Sequence, residues 1–193
     1  MGDDRMYCVI SHTVSVTNVC GRLKGPLMDR LIVVARPVGN HVITYNDGDV
    51  VPAHQTLLYF GDKINYTPDE IMELSYLVRD LAAATNPINS MVIGKGSLGK
   101  DDDKVLILES AEMNAVCEKL KLWSDGLVED MLTRTPQHPN WIQHITGFQN
   151  LRYGDYLTFD RLAVWNGDEH QDFSFQYQTV FTDAALKMTA LDD

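Results

Sequence analysis

Two amphipathic helical segments, each lying between clusters of strand-like segments, constrain the fold of this chain most strongly. The first begins at "NYTPDE", where Thr67 is a good N-cap and Pro68 fits the first helical position. Glu70 completes a capping box with Thr67. Apolar residues then recur at helical spacing, at Ile71, Leu74, Val78 and Leu81. The pattern predicts an amphipathic helix that packs one face against a sheet.

A second helix is predicted from Ala111 to Leu132, with Ser110 as its cap. Its apolar stripe consists of Val116, Leu120, Leu127 and Met131. Strands are predicted at 29–38, 40–49, 54–61, 88–99, 103–110, 141–148, 156–167 and 171–181. The order of strands, helix, strands, helix, strands predicts an α+β fold, because it lacks regular βαβ alternation. The repeated order of strands and helix also hints at a duplication.

Length and composition predict a single globular domain over residues 1–193, or two small lobes that share a core. The chain has 193 residues, 45% of them hydrophobic. It has no apolar run long enough for a membrane span and no apolar leader. The three cysteines are widely spaced and form no CxxC pair, so we expect free thiols and a cytoplasmic location.

The net charge of −11 is unevenly distributed. The net charge of the first 53 residues is zero, and the remainder of the chain carries the whole net charge of −11. A chain this acidic should repel long nucleic acid, whose binding depends on phosphate neutralisation. A small phosphorylated ligand in one local pocket fits better.

One pair of polar residues occurs twice in strand-like surroundings. His54 and Thr56 stand two apart in "PAHQTLLYFG", and His144 and Thr146 repeat that spacing in "NWIQHITGFQ". Residues two apart on a strand point to the same face. A single pair is also typical of a structural histidine, but two copies in matched contexts favour a two-lobed site in which the pairs face each other.

The chemistry available to such a site is concrete. Two imidazoles on opposite sides of a phosphodiester can act as general base and general acid, since histidine titrates near neutral pH. Each threonine hydroxyl can donate a hydrogen bond to a non-bridging phosphate oxygen. This chemistry requires no metal or other cofactor, and the remaining histidines form no metal-ligand pattern. The stretch "GKGSLGK" lacks the spacing of a phosphate-binding loop.

Candidates for substrate binding are aromatic side chains, which can stack on a base, and an arginine, which can reach a phosphate. Trp141, three residues before His144, and Tyr7 are the stacking candidates, and Arg36, at the end of an apolar strand, is the phosphate candidate. For each, a structural role is the alternative. Alternation from Thr56 predicts that Tyr59 faces away from the site.

The paired motifs resemble those of the two-histidine (2H) phosphoesterases, also called LigT-like or 2′-5′ RNA ligase-like proteins. The resemblance covers roughly residues 50–180, with "HQTLLYFG" as the first motif and "HPNWIQHITG" as the second, and it implies that about residues 1–50 are an extended N-terminal segment. Gly147 departs from the pattern, because an apolar residue usually follows the second threonine. The resemblance implies two pseudo-symmetric lobes of antiparallel sheet with outer helices and an active site in the cleft between them.

It also implies catalysis by His54, Thr56, His144 and Thr146 on cyclic phosphates, 2′-5′ or 3′-5′ linkages or cyclic nucleotides. Some phage members similar in size to this chain degrade the cyclic oligonucleotide signals of bacterial immunity, the anti-CBASS type, which would place the protein in the host cytoplasm. The leading expectation is therefore a metal-independent phosphodiesterase acting on a small cyclic nucleotide. The alternatives are an RNA-end 2′,3′-cyclic phosphodiesterase or ligase-like enzyme, and a non-catalytic nucleotide sponge.

Overall fold

The computed structural model describes residues 29–44, 50–98, 103–127, 131–135, 141–167 and 169–176. The strands are β1 Arg30–Pro37, β2 Val42–Thr44, β3 Val50–Pro52, β4 Gln55–Asp62, β5 Ile88–Leu98, β6 Asp103–Glu109, β7 His144–Thr146, β8 Tyr156–Asn166 and β9 Glu169–Ser174. The helices are α1 Pro68–Ala83 and α2 Ala111–Leu127, and a 3₁₀ turn at Lys63–Asn65 precedes α1. The prediction of one domain over residues 1–193 stays a prediction, since both ends of the chain lie outside the described residues.

Seven of these strands form one antiparallel sheet in the order β4-β1-β8-β5-β6-β7, with β9 paired to β8, while β2 and β3 form a separate hairpin. The two strands that carry the His-x-Thr pairs, β4 and β7, therefore lie at the two ends of this order. They nevertheless approach each other in space. The α+β class and the antiparallel sheet predicted from the sequence are confirmed.

Both helices contribute to one hydrophobic core on one face of the sheet, which we call the helix face. Leu31 and Val33 of β1 lie on this face together with Leu74 of α1 and Leu120 of α2. The other side of β1 and β8, which we call the opposite face, carries a smaller buried cluster of Ile32, Val34, Val51, Ala163 and Trp165. Alternation along the strands explains the division, since successive side chains point to opposite faces.

The first helix begins as its sequence predicts. Thr67 accepts a hydrogen bond from the Glu70 amide at 3.2 Å, and Glu70 accepts one from the Thr67 amide at 2.7 Å. Arg134 adds an ion pair of 2.7 Å to Glu70, and this contact, with the cap, lowers the pKa of that carboxyl to about 2. The helix is therefore held to the segment that follows α2.

The second helix is shorter than predicted. Ser110 caps it through its hydroxyl, which accepts from the Met113 amide at 3.3 Å. The prediction that it continues to Leu132 is wrong, because residues 131–134 form a turn. Met131 is still fully buried, and its carbonyl accepts a hydrogen bond of 3.1 Å from the Tyr66 hydroxyl. The apolar spacing placed Met131 in the predicted helical stripe, because a buried residue in a turn can have the same spacing as a buried residue in a helix.

No helix within the described ranges is both long and apolar enough to cross a membrane.

Candidate active site

The first polar pair lies at the start of β4. Thr56 is paired with Val34 of β1, so its side chain lies on the opposite face of the sheet. His54 immediately precedes the strand and is half-buried. Its ring rests against Trp165, with the two ring centroids 4.4 Å apart and the planes inclined at 59°.

The second pair is placed in the same way on β7. Ile145, between the two polar residues, is fully buried in the helix-face core. His144 and Thr146 must therefore point to the opposite face, and both are half-buried. The main chain of β7 is held by pairing of His144 with Ile107 and of Thr146 with Val105 on β6.

The two histidines make the same backbone contact. Nδ1 of His54 lies 2.8 Å from the carbonyl oxygen of Pro52, and Nδ1 of His144 lies 2.8 Å from that of Ile142. A carbonyl can only accept, so Nδ1 carries the proton in both rings. In a neutral ring the lone pair is then on Nε2, the nitrogen available to a substrate.

The surroundings of His54 disfavour a second proton on its ring. Burial is the largest cause, and it lowers the pKa of His54 to about 4 although the hydrogen bond to Pro52 acts in the other direction. Electrostatic interactions with His144, Arg36 and His170 lower it further. His54 is therefore neutral at physiological pH, and His144 lies close enough for the two rings to interact electrostatically.

Of the substrate-binding candidates, Arg36 lies beside His54 and forms an ion pair with Asp172 of β9. Its side chain is only 13% exposed, and its Nε has no hydrogen-bond partner within the described part of the chain. Arg161, which stands directly opposite Arg36 on β8, lies 3.7 Å from the same carboxylate.

Trp141 is half-buried and packs against the helix-face core. Its indole Nε1 donates a hydrogen bond of 3.0 Å to the backbone carbonyl of Thr56. The side chain thus joins the segment that leads into β7 to the strand that carries the first pair. Tyr7, the other stacking candidate, lies outside the described residues.

Tyr59 lies on the opposite face, so the prediction that it faces away from Thr56 is wrong. In the pairing of β1 with β4, Val34 is opposite Thr56 but Val33 is opposite Leu58, so Leu57 has no partner on β1. The extra residue is a β-bulge, which reverses the alternation along β4. Tyr59 therefore pairs with Ile32 and packs against the cluster that contains Trp165.

Sequence reasoning did not select two residues that the fold places at His54. These residues are Trp165 and His170. His170 belongs to β9, pairs with Trp165 and stacks on its ring, with centroids 4.4 Å apart and planes 11° from parallel. The usable signal was the hairpin itself, because it places residues 165 and 170 opposite each other across "NGDE".

Gly147 immediately follows β7 and has a left-handed conformation, with φ at +85°. Phe148 follows with φ at +54°, an uncommon value for a residue with a side chain. The main chain therefore turns sharply just after Thr146, and glycine is the residue that makes this turn without strain. This explains why the second motif lacks an apolar residue at that position.

Metal-ligating groups and cysteines were sought within the described ranges only. They contain no group of three His, Cys, Asp or Glu side chains that could hold a metal ion. Cys117, the only cysteine they include, is a buried thiol with its pKa raised to about 11 by burial, and Cys8 and Cys20 lie outside them.

No protein-family model matches the chain, and no curated protein matches it at a significant level. Solved structures do match. The crystal structure of TT0787 from Thermus thermophilus aligns with 76% of this chain and 97% of its own length, with a TM-score of 0.53 and 17% sequence identity. That match shows a shared fold.

Two other solved structures align with a TM-score below 0.5. A structure described as a phosphoesterase covers 77% of this chain and 96% of its own, with 10% identity and a TM-score of 0.44. Escherichia coli LigT complexed with 3′-AMP covers 77% of this chain and 95% of its own, with 12% identity and a TM-score of 0.39.

Proposed function

We propose that this protein is a metal-independent phosphodiesterase that hydrolyses a small cyclic nucleotide or oligonucleotide with His54 and His144. One observation supports this most strongly. Two histidines from opposite ends of the strand order come together with the same Nδ1 contact, each followed by a threonine on the same face. A structural role for either histidine alone gives no reason for this repetition.

We assign the two catalytic roles from the surroundings of His54. His54 is held neutral, so it acts as the general base that removes a proton from the attacking water. His144 then delivers a proton to the leaving oxygen. For hydrolysis, the water oxygen bonds to phosphorus as the bond from phosphorus to the leaving oxygen breaks. The proton taken by His54 is balanced by the one that His144 gives.

Thr56 and Thr146 would act on the phosphoryl group itself. Each hydroxyl would donate a hydrogen bond to a non-bridging oxygen, where negative charge accumulates in the transition state. Arg36 could contribute to binding the same charge. To do so it must exchange part of its ion pair with Asp172 for the substrate phosphate, so its contribution should be to affinity.

The substrate class rests on the charge of the chain. A net charge of −11 opposes the binding of a long polyanion, whereas a cyclic dinucleotide or trinucleotide carries few phosphates. Degradation of a bacterial immune signal, and the phage origin that it would imply, are extensions of this proposal.

The test is chromatography of candidate substrates after incubation with the protein in EDTA. The set comprises cyclic dinucleotides, cyclic trinucleotides, 2′,3′-cyclic AMP and 2′-5′ oligoadenylate, with the His54→Gln, His144→Gln double variant as the control. Cleavage of a cyclic oligonucleotide by the wild type alone supports the proposal. Cleavage restricted to 2′,3′-cyclic or 2′-5′ substrates assigns the protein to RNA-end processing, and tight retention without cleavage assigns it as a sponge.

A further inference from the structure

A third imidazole belongs to the surroundings of His54, although the proposed reaction does not use it. Trp165 is 2% exposed and lies 4.4 Å, centroid to centroid, from both His54 and His170. The contact with His170 is a nearly parallel stack. The ring of His54 and the two rings of the β8–β9 hairpin thus form one continuous group.

The stack is held by strand pairing. His170 and Trp165 are direct partners in the hairpin of β8 and β9, and Trp165 is in turn paired with Ile32 of β1. The indole is therefore fixed from both sides of its strand. His170 has little freedom to leave the indole without breaking the β9 pairing, so its imidazole stays on the face that carries His54.

We propose that His170 is a positioning residue for His54 in the proposed reaction. It stacks on Trp165 and supports the indole against which the His54 ring rests, and so it holds the His54 ring in place beside the second pair. The inference rests on the proposed function, but the effect of His170 on the His54 ring can be measured without a substrate.

Electrostatics agrees with this role. A protonated imidazole stacked on an indole is favourable, because the positive ring lies over the electron-rich face. That charge opposes a second one on His54, and His170 is among the groups that lower the pKa of His54. Among the described residues, the charged or titratable groups around His54 are Arg36 of β1, with its partner Asp172 of β9; Arg161 of β8, which lies between Asp160 and Asp172; His144 of β7; and His170 itself.

The test is an NMR titration of the histidine rings in the full-length protein, with the His54 signals assigned from a His54→Gln variant. His170→Gln removes both the stacked ring and its charge, while His170→Phe keeps a ring on Trp165 and removes only the charge. We expect both variants to raise the pKa of His54 by at most about half a pH unit, because the interaction with His170 is the smallest of the causes that act on that ring. Gln171→Ala, on the other face of β9, is the matched control and should leave it unchanged.

Kinetics with a cleaved substrate supply the second readout. The acid limb of the kcat/KM profile should move upward in pH by the same amount in both His170 variants, a change that a purely structural role would not produce. A His54 pKa that stays at the wild-type value in the folded His170→Phe variant overturns the inference. A shifted pKa in a protein that cleaves none of the substrates leaves this inference standing and refutes the proposed function.

Discussion

The indole Nε1 of Trp141 donates a hydrogen bond of 3.0 Å to the backbone carbonyl of Thr56. Strand β4 is paired with β1 on one side only, so this carbonyl belongs to a sheet edge. β7 forms the other end of the strand order. The bond therefore links the segment that leads into β7 to edge strand β4, where no ladder of backbone hydrogen bonds joins β4 and β7, and it does so at the threonine of the first His-x-Thr pair.

This relationship predicts how two Trp141 variants will differ. Trp141→Phe keeps an aromatic ring but leaves the Thr56 carbonyl without its donor, so we expect a loss of about 1 kcal/mol in the free energy of unfolding. Because the spacing of the two pairs relaxes, kcat should fall while KM changes little. Trp141→Ala also loses core packing, and its stability should fall by about 3–5 kcal/mol.

Urea unfolding and steady-state kinetics on both variants provide the check. If Trp141 instead serves mainly as a stacking platform for a base, Trp141→Phe will have kcat and stability close to wild type. In that case the KM of Trp141→Ala alone will rise.

The protonation of His54 predicts a pH-dependent part of the stability. The pKa of His54 is about 4 in the folded protein, whereas an unfolded histidine titrates near 6.5. Between these values the unfolded chain binds more protons, so the stabilisation is complete above about pH 6.5 and is lost as the pH falls through 4. Because the ring is half-buried, we expect about 1–3 kcal/mol from this group.

Urea unfolding of wild type and His54→Gln at pH 7.5 and pH 4 measures that contribution. The variant should lose less stability than the wild type over this interval. Parallel losses in the two proteins would mean that His54 has an ordinary pKa in the folded state.

The turn after the second motif predicts an asymmetry between two glycines. Gly147→Ala places a side chain at φ of +85°, and we expect a loss of about 1 kcal/mol in the free energy of unfolding. Sterics add little, since the nearest atom to the new Cβ is Cγ1 of Ile43 at 3.6 Å. Gly94→Ala is the control, because a Cβ there meets nothing within 4 Å and Gly94 is not among the positive-φ glycines.

Thermal and urea unfolding of the two variants should therefore diverge, with Gly94→Ala neutral or slightly stabilised. Equal stability of the two variants would show that residue 147 does not need the left-handed conformation.

Substitution of either threonine should reduce kcat less than substitution of either histidine. Thr56→Val and Thr146→Val preserve side-chain shape and remove the hydroxyl donor, so we expect a loss in kcat of about 10²-fold each. The fold should persist, since both residues are half-buried on strands that favour β-branched side chains. An unchanged kcat in both valine variants would show that neither threonine hydroxyl stabilises the transition state.

Local signals in the sequence were sufficient for some features of this fold. The start of α1 was predictable because Thr67, Pro68 and Glu70 act within one turn of chain. The face shared by His144 and Thr146 followed from strand alternation. In each case the information lies within a few residues of the feature it determines.

Features that depend on distant pairing were not predictable in this way. The side of the sheet that Tyr59 occupies depends on a bulge between β1 and β4, which no local pattern records. The carbonyl that binds the Trp141 indole lies 85 residues away in the chain. The pairing of His170 with Trp165 can be predicted from the local hairpin, but the contact of Trp165 with His54 depends on the pairing of distant strands in the sheet.

The most direct test of the central claim is the turnover of the two single-histidine variants on whichever substrate the wild type cleaves in EDTA. His54→Gln and His144→Gln should each lose about 10²–10⁴-fold in kcat while circular dichroism shows a preserved fold. Such losses in both variants are the result that the paired-histidine account predicts. Turnover close to wild type in either folded variant would contradict it.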